Sequence, residues 1–293
     1  MRYNSITPTS VEDLIYPYRR VWLTLNLIAT SLFVIALVFQ LIGNRLPYTQ
    51  LGKYLALLLP FILWVIFSFL GELRARLPRH GLWHTLLFTL VIANGIVIPV
   101  LYDVLNVPAW IHENTFFNKI LIHGLSMSIL PSITTYSILV YLGRALPFKT
   151  RLDLLAHAEV IAIAFSSVDG LHYLLRNQPT LSSLTLYLFG TTILYFISSI
   201  FAAYALSELV FSQQSRFFPV IALGLGSFMN GFIHILKSNF TNTKLTLSTS
   251  APNFLIGLVV SLGGIIAFSV VLSFLMRVAE QRQALQTSPE KTI

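Results

Sequence analysis

Apolar residues along this chain come in long runs, with neither the alternation of a half-buried strand nor a single amphipathic stripe. Eight runs approach the roughly 20 residues that a helix needs to cross the hydrocarbon core of a bilayer. The runs cover residues 21–43, 54–71, 83–102, 120–142, 152–175, 184–211, 217–236 and 254–276. The pattern therefore predicts an all-α, polytopic transmembrane helical bundle of about eight spans.

Composition agrees with the pattern and limits the domain count. Hydrophobic residues make up 55% of the chain and charged residues only 10%, against about a quarter charged in soluble domains. The connections between runs are too short to insert a soluble domain with its own core. We expect one transmembrane domain over residues 21–276, with a cytoplasmic segment at 1–20, where Pro17 ends a short surface helix, and a cytoplasmic tail at 277–293.

Charge predicts the orientation and the class of partner. If the amino end is inside, 13 of the 19 Lys and Arg residues lie in inner segments and 6 in outer ones. This bias satisfies the positive-inside rule, so both termini are predicted to be cytoplasmic, in a multi-pass protein of a bacterial cytoplasmic membrane. The basic residues flank spans and form no stripe with interleaved aromatics, which argues against a nucleic-acid partner. The absence of cysteine excludes disulfides, thiolate metal sites and a cysteine nucleophile.

Ionisable residues inside spans are costly and are therefore candidates for function. His123, His172 and His234 fall at similar depths towards the outside of three spans, and Asp169 lies one turn inward of His172. These are ligand types for zinc or iron, with Asp169 as ligand or general base. Alternatively, each histidine donates to a carbonyl of a neighbouring helix, or His123 and His172 together hold haem.

A second, inner layer of ionisable residues lies close to predicted span ends, where we expect the side chains to reach headgroups and water. Its members are Glu72, His80, His84, His157, Glu159 and Glu208. Small residues spaced by four, Ala222 with Gly226 and residues 257 with 261, predict close packing of the last two helices. Pro60, Pro99 and Pro131 lie within spans and are expected to kink them.

The second half of the chain resembles the PrsW-like intramembrane proteases, which cleave membrane-anchored substrates. Residues 148–153 are similar to a turn between two spans of that family, and residues 164–173 are similar to the motif that closes the second of them. Asp169 takes the place of that motif's glutamate. Residues 203–206 and 230–234 resemble two later motifs. The resemblance implies a polytopic helical fold with its site among these spans.

The chain also departs from the family at its catalytic positions. Thr134 and Thr135 stand where the family has a glutamate pair, and Tyr195 stands where a histidine would fall. Threonine is not a general base near neutral pH, so the family's chemistry does not carry over at those positions. We therefore expect a non-catalytic subunit, assembly factor or regulator that binds another membrane protein within the lipid bilayer. Two alternatives remain: a metal-dependent intramembrane hydrolase that uses the His/Asp layer, and a cofactor-holding or transport subunit.

Overall fold

A computed structural model of the chain describes residues 11–42, 50–70, 81–106, 128–146, 148–212, 215, 217–241 and 252–287, and all regular secondary structure within them is helical. The helices are α1 (Val11–Ile42), α2 (Gln50–Leu57), α3 (Leu59–Trp64), α4 (Leu82–Ile92), α5 (Leu130–Ala145), α6 (Arg151–Asn177), α7 (Leu181–Phe211), α8 (Phe218–Thr241) and α9 (Pro252–Thr287). π-Helical segments extend α3 (Val65–Phe69) and α4 (Ala93–Val97 and Val100–Val104).

Helices α6 and α7 form an antiparallel hairpin whose ends are set by local sequence. Thr150 and Asp153 form a capping box at the start of α6, in which each side chain accepts a hydrogen bond from the other residue's backbone N–H. Gln178 adopts a left-handed conformation (φ 45°) after the last turn of α6, and Thr180 then caps α7. The short turn brings the two helices side by side along most of their length.

This hairpin is the centre of the molecule. Nearly every side chain from Leu152 to Gly170 on α6 and from Leu184 to Glu208 on α7 is buried. The remaining helices pack around the pair, and large apolar side chains on the outer faces of α8 and α9 are exposed. An apolar outer surface of this kind is typical of a protein whose solvent is lipid.

Several helices have the length and composition needed to cross a membrane. Among the described residues these are Trp22–Ile42, Leu82–Val104, Arg151–Asn177 and Leu181–Phe211, and the bent pair Gln50–Leu57 with Leu59–Phe69 would be a fifth. Shorter apolar helices cover Phe218–Ile233 and Leu262–Val278. The protein is thus an all-helical integral membrane protein with four or five candidate spans in its described part.

Of the three prolines predicted to kink spans, Pro60 coincides with a bend, and Pro99 and Pro131 lie next to π-helical residues. Helices α2 and α3 meet at a bend of 42°, and Pro60 lies in the first turn of α3. Pro99 directly precedes the second π-helical segment of α4, and Pro131 lies in the first turn of α5. Proline has no N–H, so it fits where the regular hydrogen-bond ladder is already broken. Pro17 differs, because α1 continues through it where the sequence predicted a break.

Helices α8 and α9 pack against each other, as predicted, but Gly226 lies against α7. A Cβ added at Gly226 would lie 2.6 Å from Cγ of Phe201, so this glycine makes room for a side chain of α7. One contact between α8 and α9 lies near Gly264, where Ile233 is 3.9 Å from an added Cβ. The side chains at positions 257 and 261 lie outside those that the structure describes.

Candidate functional site: a carboxylate enclosed by tyrosines

Asp169 is buried in the α6–α7 pair, with only 3% of its surface exposed, and three tyrosines enclose it. The hydroxyls of Tyr102 and Tyr187 donate to Oδ1 at 2.9 and 3.0 Å. The Tyr195 hydroxyl donates to Oδ2 at 3.0 Å. The hydroxyls of Tyr102 and Tyr187 also lie 3.1 Å apart. Each tyrosine hydroxyl supplies one donor, and both oxygens of the Asp169 side chain accept from this set.

Two aromatic residues of α6 fix the tyrosines of α7 in this arrangement. Phe165, one turn before Asp169, stacks on Tyr195 with ring centroids 5.4 Å apart. Tyr173, one turn after Asp169, stacks on Tyr187 at 3.9 Å with the rings nearly parallel. The spacing of four residues places Phe165, Asp169 and Tyr173 on one face of α6. The carboxylate therefore lies between two stacked aromatic pairs.

Tyr102 comes from a third helix and links the carboxylate to the surface. It lies in the π-helical segment Val100–Val104, a type of distortion often found at functional sites. The Arg176 guanidinium lies 5.6 Å from the centroid of the Tyr102 ring and forms a salt bridge with Asp103. Both charged side chains are about half exposed. A partly exposed ion pair thus covers the tyrosine that contacts Asp169.

A glycine next to Asp169 permits the close approach of the helices. A Cβ added at Gly170 would lie 2.4 Å from Cδ2 of Leu188 on α7 and 3.1 Å from Cδ2 of Leu57 on α2. Only a residue without a side chain fits at this point without displacing both leucines.

Several positions that the family resemblance singled out make hydrogen bonds with one turn of α7, around Tyr195–Ser199. Tyr195 contacts Asp169, and the Ser199 hydroxyl lies 3.3 Å from that of Thr135 on α5. The Asn230 side-chain amide on α8 donates to the Ser198 hydroxyl at 2.7 Å. The same amide also lies within hydrogen-bonding distance of the Ser128 hydroxyl and the Leu194 carbonyl, both at 3.0 Å. Apart from Asp169, the groups that meet this turn through these hydrogen bonds are neutral hydroxyls and an amide.

The predicted metal site is only partly within the described structure. His123 and the side chain of His234 lie outside it, so the three-histidine arrangement remains a prediction. His172 is half-buried, and its Nε2 lies 3.4 Å from Oδ1 of Asn94 on α4. In the described part of the chain, no group of three or more His, Cys, Asp or Glu side chains is placed to hold a metal ion. A metal at Asp169 would have to bind a carboxylate whose two oxygens already accept three tyrosine hydrogen bonds.

The inner ionisable layer differs from the prediction. His157, Glu159 and Glu208 are buried, at 2%, 1% and 5% exposure, and do not reach water. His157 Nδ1 lies 2.7 Å from the Thr85 hydroxyl. The prediction was wrong because position within a span does not reveal that α6 and α7 are surrounded by other helices. His84 alone is exposed as expected, and Glu72 and His80 lie outside the described residues.

Two of these buried groups are fixed by specific partners. Arg151 Nη1 contacts Glu208 Oε1 at 2.5 Å, and Arg151 Nη2 donates to the Ser212 hydroxyl at 2.8 Å. The Ser68 hydroxyl lies 3.4 Å from Oε2 of Glu159. The ion pair joins α6 to α7 at the end opposite Arg176. The same two helices are therefore connected by polar contacts along their length.

Sequence reasoning identified Asp169 and noted Tyr195 only as a departure from the family motif, but it missed Tyr102 and Tyr187 and the contact of all three with Asp169. Tyrosine is neutral and is common in membrane helices, so its presence alone signals nothing. The informative pattern is Phe165, Asp169 and Tyr173 on one helix, followed after a short turn by Tyr187 and Tyr195. This pattern becomes meaningful only when the two helices are known to be antiparallel neighbours.

The fold and this site together define an integral membrane helical bundle with a buried, hydrogen-bonded carboxylate at its centre. Comparison with protein-family models, with curated proteins and with solved structures finds no match.

Proposed function

We propose that the chain is a PrsW-like membrane-helix bundle without proteolytic activity, which acts by binding another membrane protein as a subunit, assembly factor or regulator. The proposed topology has eight spans with both termini in the cytoplasm of a bacterium. It is supported by the overlap of each of the eight apolar runs with a described helix. The excess of basic residues in the inner segments supports the orientation.

The observation that carries this proposal is the composition of the α7 turn at Tyr195–Ser199. Thr135, Asp169 and Asn230 all have hydrogen-bond partners on it, and all three occupy positions of the PrsW-like motifs. A hydrolase needs a base or a metal-held water that a substrate can reach. Here the carboxylate is buried and accepts three hydrogen bonds. The arrangement favours a structural role, in which polar contacts join the spans.

The outer faces of α8 and α9 support a role in binding. Gly224 and Gly263 are exposed, and nothing lies within 4 Å of a Cβ added at either position. Large apolar side chains such as Leu225 and Ile266 are exposed nearby. Small exposed residues allow a helix of another protein to approach closely within the bilayer, where packing drives association.

The experiment that tests this function compares binding with hydrolysis. The chain is crosslinked in its own membranes at natural expression level, purified under mild conditions and analysed by quantitative mass spectrometry. We expect one membrane protein in fixed stoichiometry and no cleavage of membrane-anchored peptides. A monomeric chain that cleaves such a peptide, with the activity lost in Asp169→Asn, would overturn the proposal.

A metal-dependent hydrolase is the second candidate, and one observation favours it. Asp169 and His172 lie one turn apart on α6, so a carboxylate and an imidazole are available in one layer. Elemental analysis of the gently solubilised chain distinguishes the candidates. About one equivalent of zinc or iron that is lost in His172→Ala, but kept in the control His84→Ala, would favour this function over the first. An absorption spectrum of the same sample tests for haem.

A further inference from the structure

A groove of about 270 Å³ lies along one side of α5, away from the tyrosine-enclosed carboxylate. It is lined by Tyr136, Ser137, Val140, Tyr141 and Arg144. The spacing of three and four residues places these side chains on one face, over roughly 12 Å of helix. Ser137, Tyr141 and Arg144 are exposed, so the groove opens to the surroundings of the protein and not to its core.

The chemistry of the groove changes along the helix. Arg144 lies in the last turn of α5 and, within the described part of the chain, forms no ion pair. Tyr141 is held at the edge of the groove, where its ring stacks on Phe88 of α4 with centroids 5.2 Å apart. Deeper along α5, Val140 and the Tyr136 ring supply partly exposed apolar surface. A cation at one end is thus followed by a hydroxyl and then by apolar groups.

We propose that this groove binds one anionic phospholipid. The lipid phosphate accepts hydrogen bonds from the Arg144 guanidinium, which has no competing carboxylate among the described residues. The Tyr141 hydroxyl donates to an oxygen of the glycerol-ester region, and the first part of an acyl chain lies against Val140 and Tyr136. Tyrosine and arginine at a helix end are the residues that meet headgroups.

Charge complementarity selects this occupant over a neutral lipid. Arg144 lies on the side of the protein where the sequence concentrates basic residues, which is the side of the anionic leaflet in the proposed orientation. A headgroup without net negative charge would leave the positive charge of Arg144 uncompensated. The site is separate from the proposed binding of another membrane protein, because none of its lining residues belongs to α8 or α9.

Native mass spectrometry of the delipidated, detergent-purified chain tests this site. Phosphatidylglycerol and phosphatidylcholine with identical acyl chains are titrated separately. We expect one phosphatidylglycerol to bind at least about tenfold more tightly than phosphatidylcholine, and Arg144→Gln to lower that affinity about tenfold, as for loss of one charge-assisted hydrogen bond. Ser137→Trp, which fills the groove from an exposed position without changing charge, should also abolish binding at this site.

Arg277→Gln is the matched control, because Arg277 is exposed near the inner end of α9 and its substitution removes the same charge. We expect this variant to keep the wild-type affinity. An equal loss in Arg277→Gln would indicate diffuse attraction to the protein's charge and would overturn the proposal. Equal affinity for both lipids, or full competition by soluble glycerol phosphate, would overturn it as well.

Discussion

Tyr195 donates a hydrogen bond to Asp169 at 3.0 Å, and both residues are buried at the centre of the α6–α7 pair. Each residue depends on the other. The carboxylate needs donors because a buried charge without hydrogen bonds is costly, and the hydroxyl needs an acceptor because lipid offers none. Tyr195 is also stacked on Phe165, so the donor cannot easily turn away. This mutual dependence makes the contact testable by stability measurements.

Replacement of the carboxylate should destabilise the protein. Asp169→Ala removes the shared acceptor of three tyrosine hydroxyls, although those of Tyr102 and Tyr187, 3.1 Å apart, can still bond to each other. At about 1 kcal/mol for each lost hydrogen bond we expect a cost of about 2–3 kcal/mol. Asp169→Asn keeps one acceptor oxygen and should cost less. Thermal unfolding in mild detergent measures both. If Asp169→Ala were as stable as the wild type, the tyrosines would not be acting as structural donors to Asp169.

The contributions of the tyrosine hydroxyls to the free energy of unfolding should depend on the presence of the Asp169 carboxylate. Tyr195→Phe keeps the ring stack on Phe165 and removes only the hydroxyl, so we expect a cost of about 1 kcal/mol. In combination with Asp169→Ala the same change should cost much less, because its partner is already absent. Tyr54→Phe, at an exposed tyrosine, is the control and should have no effect. Additive costs for Tyr195 and Asp169 would show that the two side chains do not interact.

The sequence was sufficient to predict an all-helical membrane bundle, but it did not predict which residues surround the buried carboxylate. Long apolar runs predict spans because lipid favours apolar side chains and a helix satisfies its own backbone hydrogen bonds. Asp169 was identifiable because an ionisable group at that depth is rare. Its tyrosine partners were not, since the partner of a side chain depends on which helices are neighbours. The unknown helix neighbours also explain the error in the inner ionisable layer, where His157 was predicted to reach water and is in fact buried.

Two glycines of α8, two positions apart, should respond differently to the same substitution. Gly226→Ala places a Cβ 2.6 Å from Cγ of Phe201 and 2.8 Å from its Cβ, so α7 and α8 must separate. We expect a cost of about 1–3 kcal/mol, the range for overpacking a close contact. Gly224→Ala meets nothing within 4 Å and should be neutral or slightly stabilising. Equal melting temperatures for the two variants would contradict the close packing of α8 on α7.

The buried ion pair between Arg151 and Glu208 should show the non-additivity of paired charges. Either single change to leucine leaves one charge in an apolar interior, which costs about 3–5 kcal/mol. The double variant removes both charges, and we expect it to be more stable than either single variant. The comparison is made by thermal unfolding of the three variants in the same detergent.

The exposed ion pair at the other end of α6 provides the control for this effect. Asp103 and Arg176 are 53% and 43% exposed, so Asp103→Asn should cost less than about 1 kcal/mol. A large loss there, or a double Arg151/Glu208 variant that is the least stable of its set, would contradict this account. Burial of the Arg151–Glu208 pair would then not explain the loss of stability in its single variants. The expected order instead shows that the cost of each single variant comes from one charge left buried without its partner.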